Sequence, residues 1–404
     1  MHVSITTTAD DAGPGAAPWS AVLAMTLCAF VLVSSEFLPV SLLTPMARDM
    51  IISEGQAGQA IAASGLFAVL TSLSISSLTR KLDRKLVILW LTGLMIVSGA
   101  IVAFAPSYPV LLAGRAVLGI AIGGCWSMST AVLMRISNGA FLPRAIATLQ
   151  GGSALATAVA APMGSLLGSV VGWRGAFFCL VPLAALALIW QAVSLPRLPA
   201  QHGSRQASVV TLLSKPGIFI GLIAVAVLFM GQFALFTYLR PFLETVTHVD
   251  ISWLSIILLL IGLSGLAGTA AIGPLVAMNL RRVLVVIPAL MAGVALALAS
   301  FGGSFWPTVL LLAAWGLIAT PAPVGWFTWL SQVLPDDAEA GGGLMVAVIQ
   351  LAITLGATMG GAIFDATGVR ATFEVSAALL VLAAFLAAMA ARRAGQGSEL
   401  SPVS

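Results

Sequence analysis

The chain has 404 residues, 60% of them hydrophobic and only 8% charged, with a mean hydropathy of +1.08 and a formal net charge of +4. A water-facing surface carries about 25% charged residues, so a soluble enzyme or nucleic-acid-binding domain is excluded. The pI near 9.3 reflects basic residues held in short loops between apolar runs, which is a membrane-topology pattern.

Residues 1–18 hold Asp10 and Asp11 and no Lys or Arg, so they lack the basic start of a signal peptide and read as a disordered cytoplasmic tail. Trp19 then marks an interface. A spanning helix needs about 20 apolar residues. Twelve stretches qualify: 19–43, 56–78, 86–104, 109–134, 144–170, 174–195, 216–239, 251–278, 283–302, 306–331, 341–366 and 370–391. The 40 glycines and 20 prolines suit closely packed, kinked helices rather than a barrel, which would alternate over about ten residues. Cys28, Cys125 and Cys179 lie in apolar stretches with no ligand set, so they read as small core residues, with no metal or disulfide implied.

The longest loop, 196–215, carries Pro196, Pro199, His202 and Gly203 and divides six helices from six. The halves echo each other. Gly124-Cys-Trp-Ser127 answers Val324-Gly-Trp-Phe327, Gly172-Trp-Arg-Gly-Ala-Phe177 answers Gly368-Val-Arg-Ala-Thr-Phe373, and Arg84-Lys85 answers Arg281-Arg282. The expected fold is therefore all-α and integral to the membrane: twelve transmembrane helices in two six-helix bundles related by pseudo-two-fold symmetry. The bundles are 19–195 and 216–391, joined by a cytoplasmic linker and followed by a tail at 392–404. Parallel repeats of this kind hold a substrate between them near the bilayer midplane. With the N-terminus inside, only Arg48, Arg174, Arg240 and Arg370 fall outside and Arg115 falls within a span. The positive-inside rule thus places both termini in the cytoplasm.

The chemistry begins in Val33-Ser-Ser-Glu-Phe-Leu-Pro39. An ionised Glu36 inside hydrocarbon costs at least about 2.5–3.5 kcal/mol, and Pro39 loosens the backbone beside it. Glu36 reads as a proton site. Arg115, about 9 Å into helix 4, lies at a matching depth to Glu36, about 10 Å from the end of helix 1, so the two invite a pair. The alternative is a static salt bridge. Gln232, Phe233 and Phe236 share one turn of helix 7, helix 10 carries Trp315 and Trp326, helix 4 carries Trp126, and helix 11 carries Gln350. An amide flanked by ring faces suits a neutral heterocycle with hydroxyls, although interhelical packing is the plain alternative for each residue. Pro162 and Gly164 in helix 5, Pro321 and Pro323 in helix 10, and Arg84 and Lys85 after helix 2 are the candidate gating positions. Static kinks are the competing reading of the prolines. No GxxxxGK[ST] sequence is present, so ATP is not the expected driver.

These residues together resemble the major facilitator superfamily: Arg115 with Gly119, Pro162-Met163-Gly164, Gly172-Trp173-Arg174 and the basic loop after helix 2. Ser35-Glu36-Phe37 followed by Leu42-Leu-Thr-Pro-Met-Ala47 looks like its drug:proton antiporter branch. The stretches Glu36–Ala47, Gly231–Pro241 and Val346–Ala352 look like that branch's bacterial purine-ribonucleoside exporters. The resemblance implies alternating access in a bacterial inner membrane, with nucleoside leaving as protons enter, no cofactor and a monomeric state. In place of the usual GxxxDRxGRR loop, this chain has Leu78-Thr-Arg-Lys-Leu-Asp-Arg-Lys85, so the usual gating argument for that loop does not transfer. Broader drug or sugar efflux, and a non-transporting receptor or scaffold, are the alternatives.

Overall fold

The computed structural model describes residues 19–137, 142–199, 217–334 and 338–398. The tail at 1–18, most of the linker and the last residues of the second tail lie outside them. Among the described residues thirteen helices are formed: α1 (Trp19–Met50), α2 (Glu54–Leu78), α3 (Arg84–Ala103), α4 (Tyr108–Ile136), α5 (Leu142–Phe178), α6 (Leu180–Ser194), α7 (Ile218–Phe236), α8 (Leu239–Thr245), α9 (Ile251–Phe301), α10 (Phe305–Ala319), α11 (Ala322–Val333), α12 (Ala338–Thr367) and α13 (Val369–Ser398).

Among the described residues ten helical stretches are long and apolar enough to cross a membrane, and two of them, Arg144–Ser194 and Ile251–Phe301, have 51 residues each. At 1.5 Å per residue each measures about 76 Å, more than twice the roughly 30 Å of hydrocarbon. Each therefore crosses twice, giving twelve crossings. The first turns at Gly172, whose φ of 73° suits a residue without a side chain. The second turns at Asn279, whose Oδ1 accepts from the Arg282 N–H at 3.0 Å and so caps the next segment. The break expected in the tenth crossing is present: α10 stops at Ala319 and α11 starts at Ala322, around Pro321. Two ends differ from expectation. The first helix runs on through Thr44-Pro-Met-Ala-Arg-Asp49 to Met50 in spite of Pro45, and the last continues through Arg392-Arg393 to Ser398.

Beside two smaller clusters around Trp173 and Tyr238, two large apolar cores form among the described residues. One joins Met25, Leu32, Leu91 and Ile122 of the first half. The other joins Leu228, Phe233, Leu258 and Met291 of the second half and takes in Val40, Ile61 and Ala161 from the first. The halves meet there, α2 against α12 and α5 against α9. Hydrogen bonds that cross between them run from Gln350 to Glu36, Arg240 to Ser41, Ser255 to Ser165, Thr354 to Ala62, Thr358 to Gln59, and from Ser53 and Gly55 to Asp365. Among the described residues they all fall between mid-helix and the end that carries the 50–54 turn. The molecule is clamped at that end.

Candidate functional site

Sequence dictates the shape of helix 1 here. In an α-helix the N–H of residue i bonds to the carbonyl of i−4, and proline has no N–H. Pro39 therefore leaves the Ser35 carbonyl without its helical donor. Arg115, 1% exposed, supplies one: Nη1 donates to Ser35 O at 2.7 Å. Its remaining bonds go from Nη2 to Glu36 O at 3.1 Å and Ser64 Oγ at 3.0 Å, and from Nε to Ala60 O at 2.9 Å. The expected meeting of opposite charges thus takes a different form. Arg115 reaches the backbone of residue 36, and none of these four bonds ends on the carboxylate. A buried carbonyl left unmet costs about 1–3 kcal/mol, and the planar guanidinium fork can serve several at once.

The carboxylate itself faces the other half. Glu36 is 4% exposed, and its Oε1 accepts from Gln350 Nε2 of α12 at 2.9 Å. Gln350 Oε1 is buried with no partner. One residue along α1, the Phe37 ring stacks on Phe233 of α7, with centroids 5.8 Å apart and planes 24° apart, and Phe233 meets Phe236 edge-on at 6.1 Å. Gln232 Oε1 is a second buried acceptor without a partner. The interface thus joins one carboxylate, one amide with an unused acceptor and three rings, and Gln232 lies next to Phe233 on α7. Phe37 was missed from sequence; its position next to Glu36 was the available signal.

Other expected site residues sit elsewhere. Trp315 and Trp326 are packed into the second core, with Trp326 edge-on to Trp329 at 5.6 Å. Trp126 packs on the first core and lines a small cavity with Cys28, Cys125 and Ser129, which Glu36 does not line. Helix α5 runs unbroken through Pro162. Gly164 is a close-approach position: a Cβ there would lie 2.3 Å from Ser41 Oγ of α1. Arg84 donates to Thr79 Oγ1 at 2.8 Å, and Asp83 caps α3 through the Lys85 N–H at 2.8 Å while also accepting from Leu198 N at the start of the linker. Cys179 is exposed, against expectation, because it lies at the junction of α5 and α6 rather than inside a bundle.

A scan against family models matches residues 25–345 to the Major Facilitator Superfamily. The chain belongs to that family. It is 55% identical over 382 residues to the transcription regulatory protein OpdE of Pseudomonas aeruginosa, covering 93% of this chain and 94% of that one. It is 38% identical over 374 residues to the purine ribonucleoside efflux pump NepI of Salmonella paratyphi B, with the same coverage. Among solved structures, a bacterial homolog of the human lysosomal transporter Spinster matches with a TM-score of 0.78 at 16% identity, covering 96% of this chain and all of that one. The human organic anion transporter MFSD10 matches with a TM-score of 0.67 at 18% identity, covering 92% and 99%. As a member of the Major Facilitator Superfamily the chain is a multi-pass inner-membrane transporter, not an enzyme, and its substrate is a small molecule.

Proposed function

We propose that this transporter exports purine ribonucleosides such as inosine in exchange for protons, as a monomer with both termini in the cytoplasm. The observation that carries the reading is the Glu36–Gln350 hydrogen bond: a buried carboxylate bridges the two halves that alternating access must move apart. Intramembrane carboxylates mark proton pathways by default. The Phe37, Phe233 and Phe236 rings offer stacking faces for a purine, and the unused acceptors of Gln232 and Gln350 suit its N–H and hydroxyl donors. The likeness to NepI supports that substrate class. On this orientation the clamped end is extracellular and the present arrangement faces the cytoplasm. One proton crossing about 150 mV releases about 3.5 kcal/mol, which sustains a few-hundred-fold gradient of a neutral solute.

The name of the Pseudomonas aeruginosa relative favours a second reading, an influence on gene expression. A membrane exporter exerts one by setting the cytoplasmic level of a solute that a regulator senses. Glu36→Gln tests the first reading in vesicles: the amide is nearly isosteric, so inosine exchange down its gradient should persist while proton-driven uphill export is lost. Normal uphill export by this variant would refute proton coupling at Glu36. Normal coupling with arabinose or chloramphenicol, but none with inosine, would move the substrate to the broader drug or sugar class.

A further inference from the structure

We infer that Gln350 reads whether Glu36 carries a proton, and that proton and substrate compete for its amide oxygen. The inference rests on the proton-coupled reading above. A carboxylate only accepts hydrogen bonds, whereas an amide both donates and accepts. Gln350 Nε2 already donates to Glu36 Oε1 at 2.9 Å, while Gln350 Oε1 is buried and unpartnered. A proton delivered by hydronium to the second carboxyl oxygen of Glu36 creates the donor that this amide oxygen lacks. The acid O–H then donates to Gln350 Oε1, and the amide N–H continues to donate to the acid carbonyl. One O–H bond forms on Glu36, one breaks on hydronium, and nothing is oxidised. The product is a closed ring of two hydrogen bonds across the interface, with no charge on the carboxyl.

The surroundings leave this part to Gln350. Among the described residues the charged group facing Glu36 is Arg115 of α4, which has no acceptor to offer an acid and four of whose five N–H donors are committed to Ser35, Glu36, Ala60 and Ser64. From α2 comes the neutral Ser64, from α5 comes Gly164 against Ser41, and Arg240 of α8 reaches α1 only at Ser41. Because α1 and α12 belong to opposite halves, the ring is a clamp that a proton tightens. A substrate donor that takes Gln350 Oε1, with its ring against Phe37 and Phe233, removes the proton's partner and favours its departure. Exchange of one for the other follows from one shared acceptor.

The test is infrared difference spectroscopy between acid and alkaline pH on the purified protein in lipid, without substrate. The wild type should show a protonated-carboxyl C=O band that disappears in Glu36→Gln. In Gln350→Met, which keeps length without hydrogen bonding, the band should move to higher wavenumber as the ring opens. Gln350→Asn, which keeps a shortened amide, should lie between and covers the case that Met misfolds. A band unmoved in both Gln350 variants would overturn the inference while leaving Glu36 as the proton site. A band that survives Glu36→Gln would overturn the proton-coupled reading as well.

Discussion

Helix 1 uses one device twice, six residues apart, with opposite mechanical consequences. Pro39 frees the carbonyl of Ser35, and Pro45 frees that of Ser41, since each proline lacks the N–H four residues on. Each carbonyl is met by an arginine: Ser35 by Arg115 of α4, Ser41 by Arg240 of α8. Arg115 belongs to the same half as α1, so its bonds brace Glu36 inside a bundle that moves as a unit. Arg240 belongs to the other half and is steered by Glu244, whose Oε1 accepts from its Nε at 2.8 Å. Its bond to Ser41 must break whenever the clamped end opens. The same local chemistry makes a brace in one place and a latch in the other, and only the partner's bundle distinguishes them.

The largest effect should come from the brace. Arg115→Ala strands the proline-freed Ser35 carbonyl and removes three further charge-assisted bonds, to the Glu36 and Ala60 carbonyls and to Ser64 Oγ, so a loss of about 3 kcal/mol is expected, read as a lower unfolding temperature in detergent. Adding Pro39→Ala returns a helical donor to Ser35 and should recover about 1–3 kcal/mol of that loss. If the two substitutions simply add, the arginine is not serving the proline-freed carbonyl.

Arg240→Ala should cost less, about 1–3 kcal/mol, because one freed carbonyl is at stake. Its signature is conformational. Spin labels at the exposed positions 51 and 367, in a Cys179→Ser background, should report a longer distance in Arg240→Ala and an unchanged one in Arg115→Ala. Equal distances in both variants would erase the distinction between latch and brace.

Between these two lies the ligand face. Gln232→Ala should weaken inosine binding about five- to a hundredfold, the equivalent of about 1–3 kcal/mol, and spare an apolar drug that never used the amide. Equal losses for both ligands would make Gln232 packing glue.

The smallest effect belongs to Asp365, whose carboxylate accepts from Ser53 Oγ and from the Gly55 N–H at 3.1 Å, at the start of α2. Asp365→Ala removes a helix-cap acceptor worth about 0.5–2 kcal/mol. The 51–367 distance should lengthen slightly, in the same direction as in Arg240→Ala. A shortening would show that this contact does not hold the clamped end shut.

Much of this was legible in the chain itself. Hydropathy alone dictates a helical membrane protein, because a bilayer offers backbone groups no partner outside a helix or a closed barrel. The repeat of Gly-Trp-Arg-Gly-Ala-Phe as Gly-Val-Arg-Ala-Thr-Phe reveals two halves, and a carboxylate in apolar sequence singles out Glu36. Pro39 was readable as loosened backbone, and Pro45 was not singled out. What the sequence could not disclose is who answers them. Matching depth suggested Arg115 for the carboxylate of Glu36, yet a guanidinium also serves freed carbonyls, and the one that proline exposed lies within its reach. Gln350, 314 residues from Glu36 in the chain, took the carboxylate instead. Trp126 separated from the other candidates because helix rotation decides whether a ring faces the interface or its own bundle, and a lone aromatic in an apolar run carries no signal of that rotation. Local periodicity fixes which segments are helices; the pairing of donors with acceptors across two bundles is settled only when those helices pack.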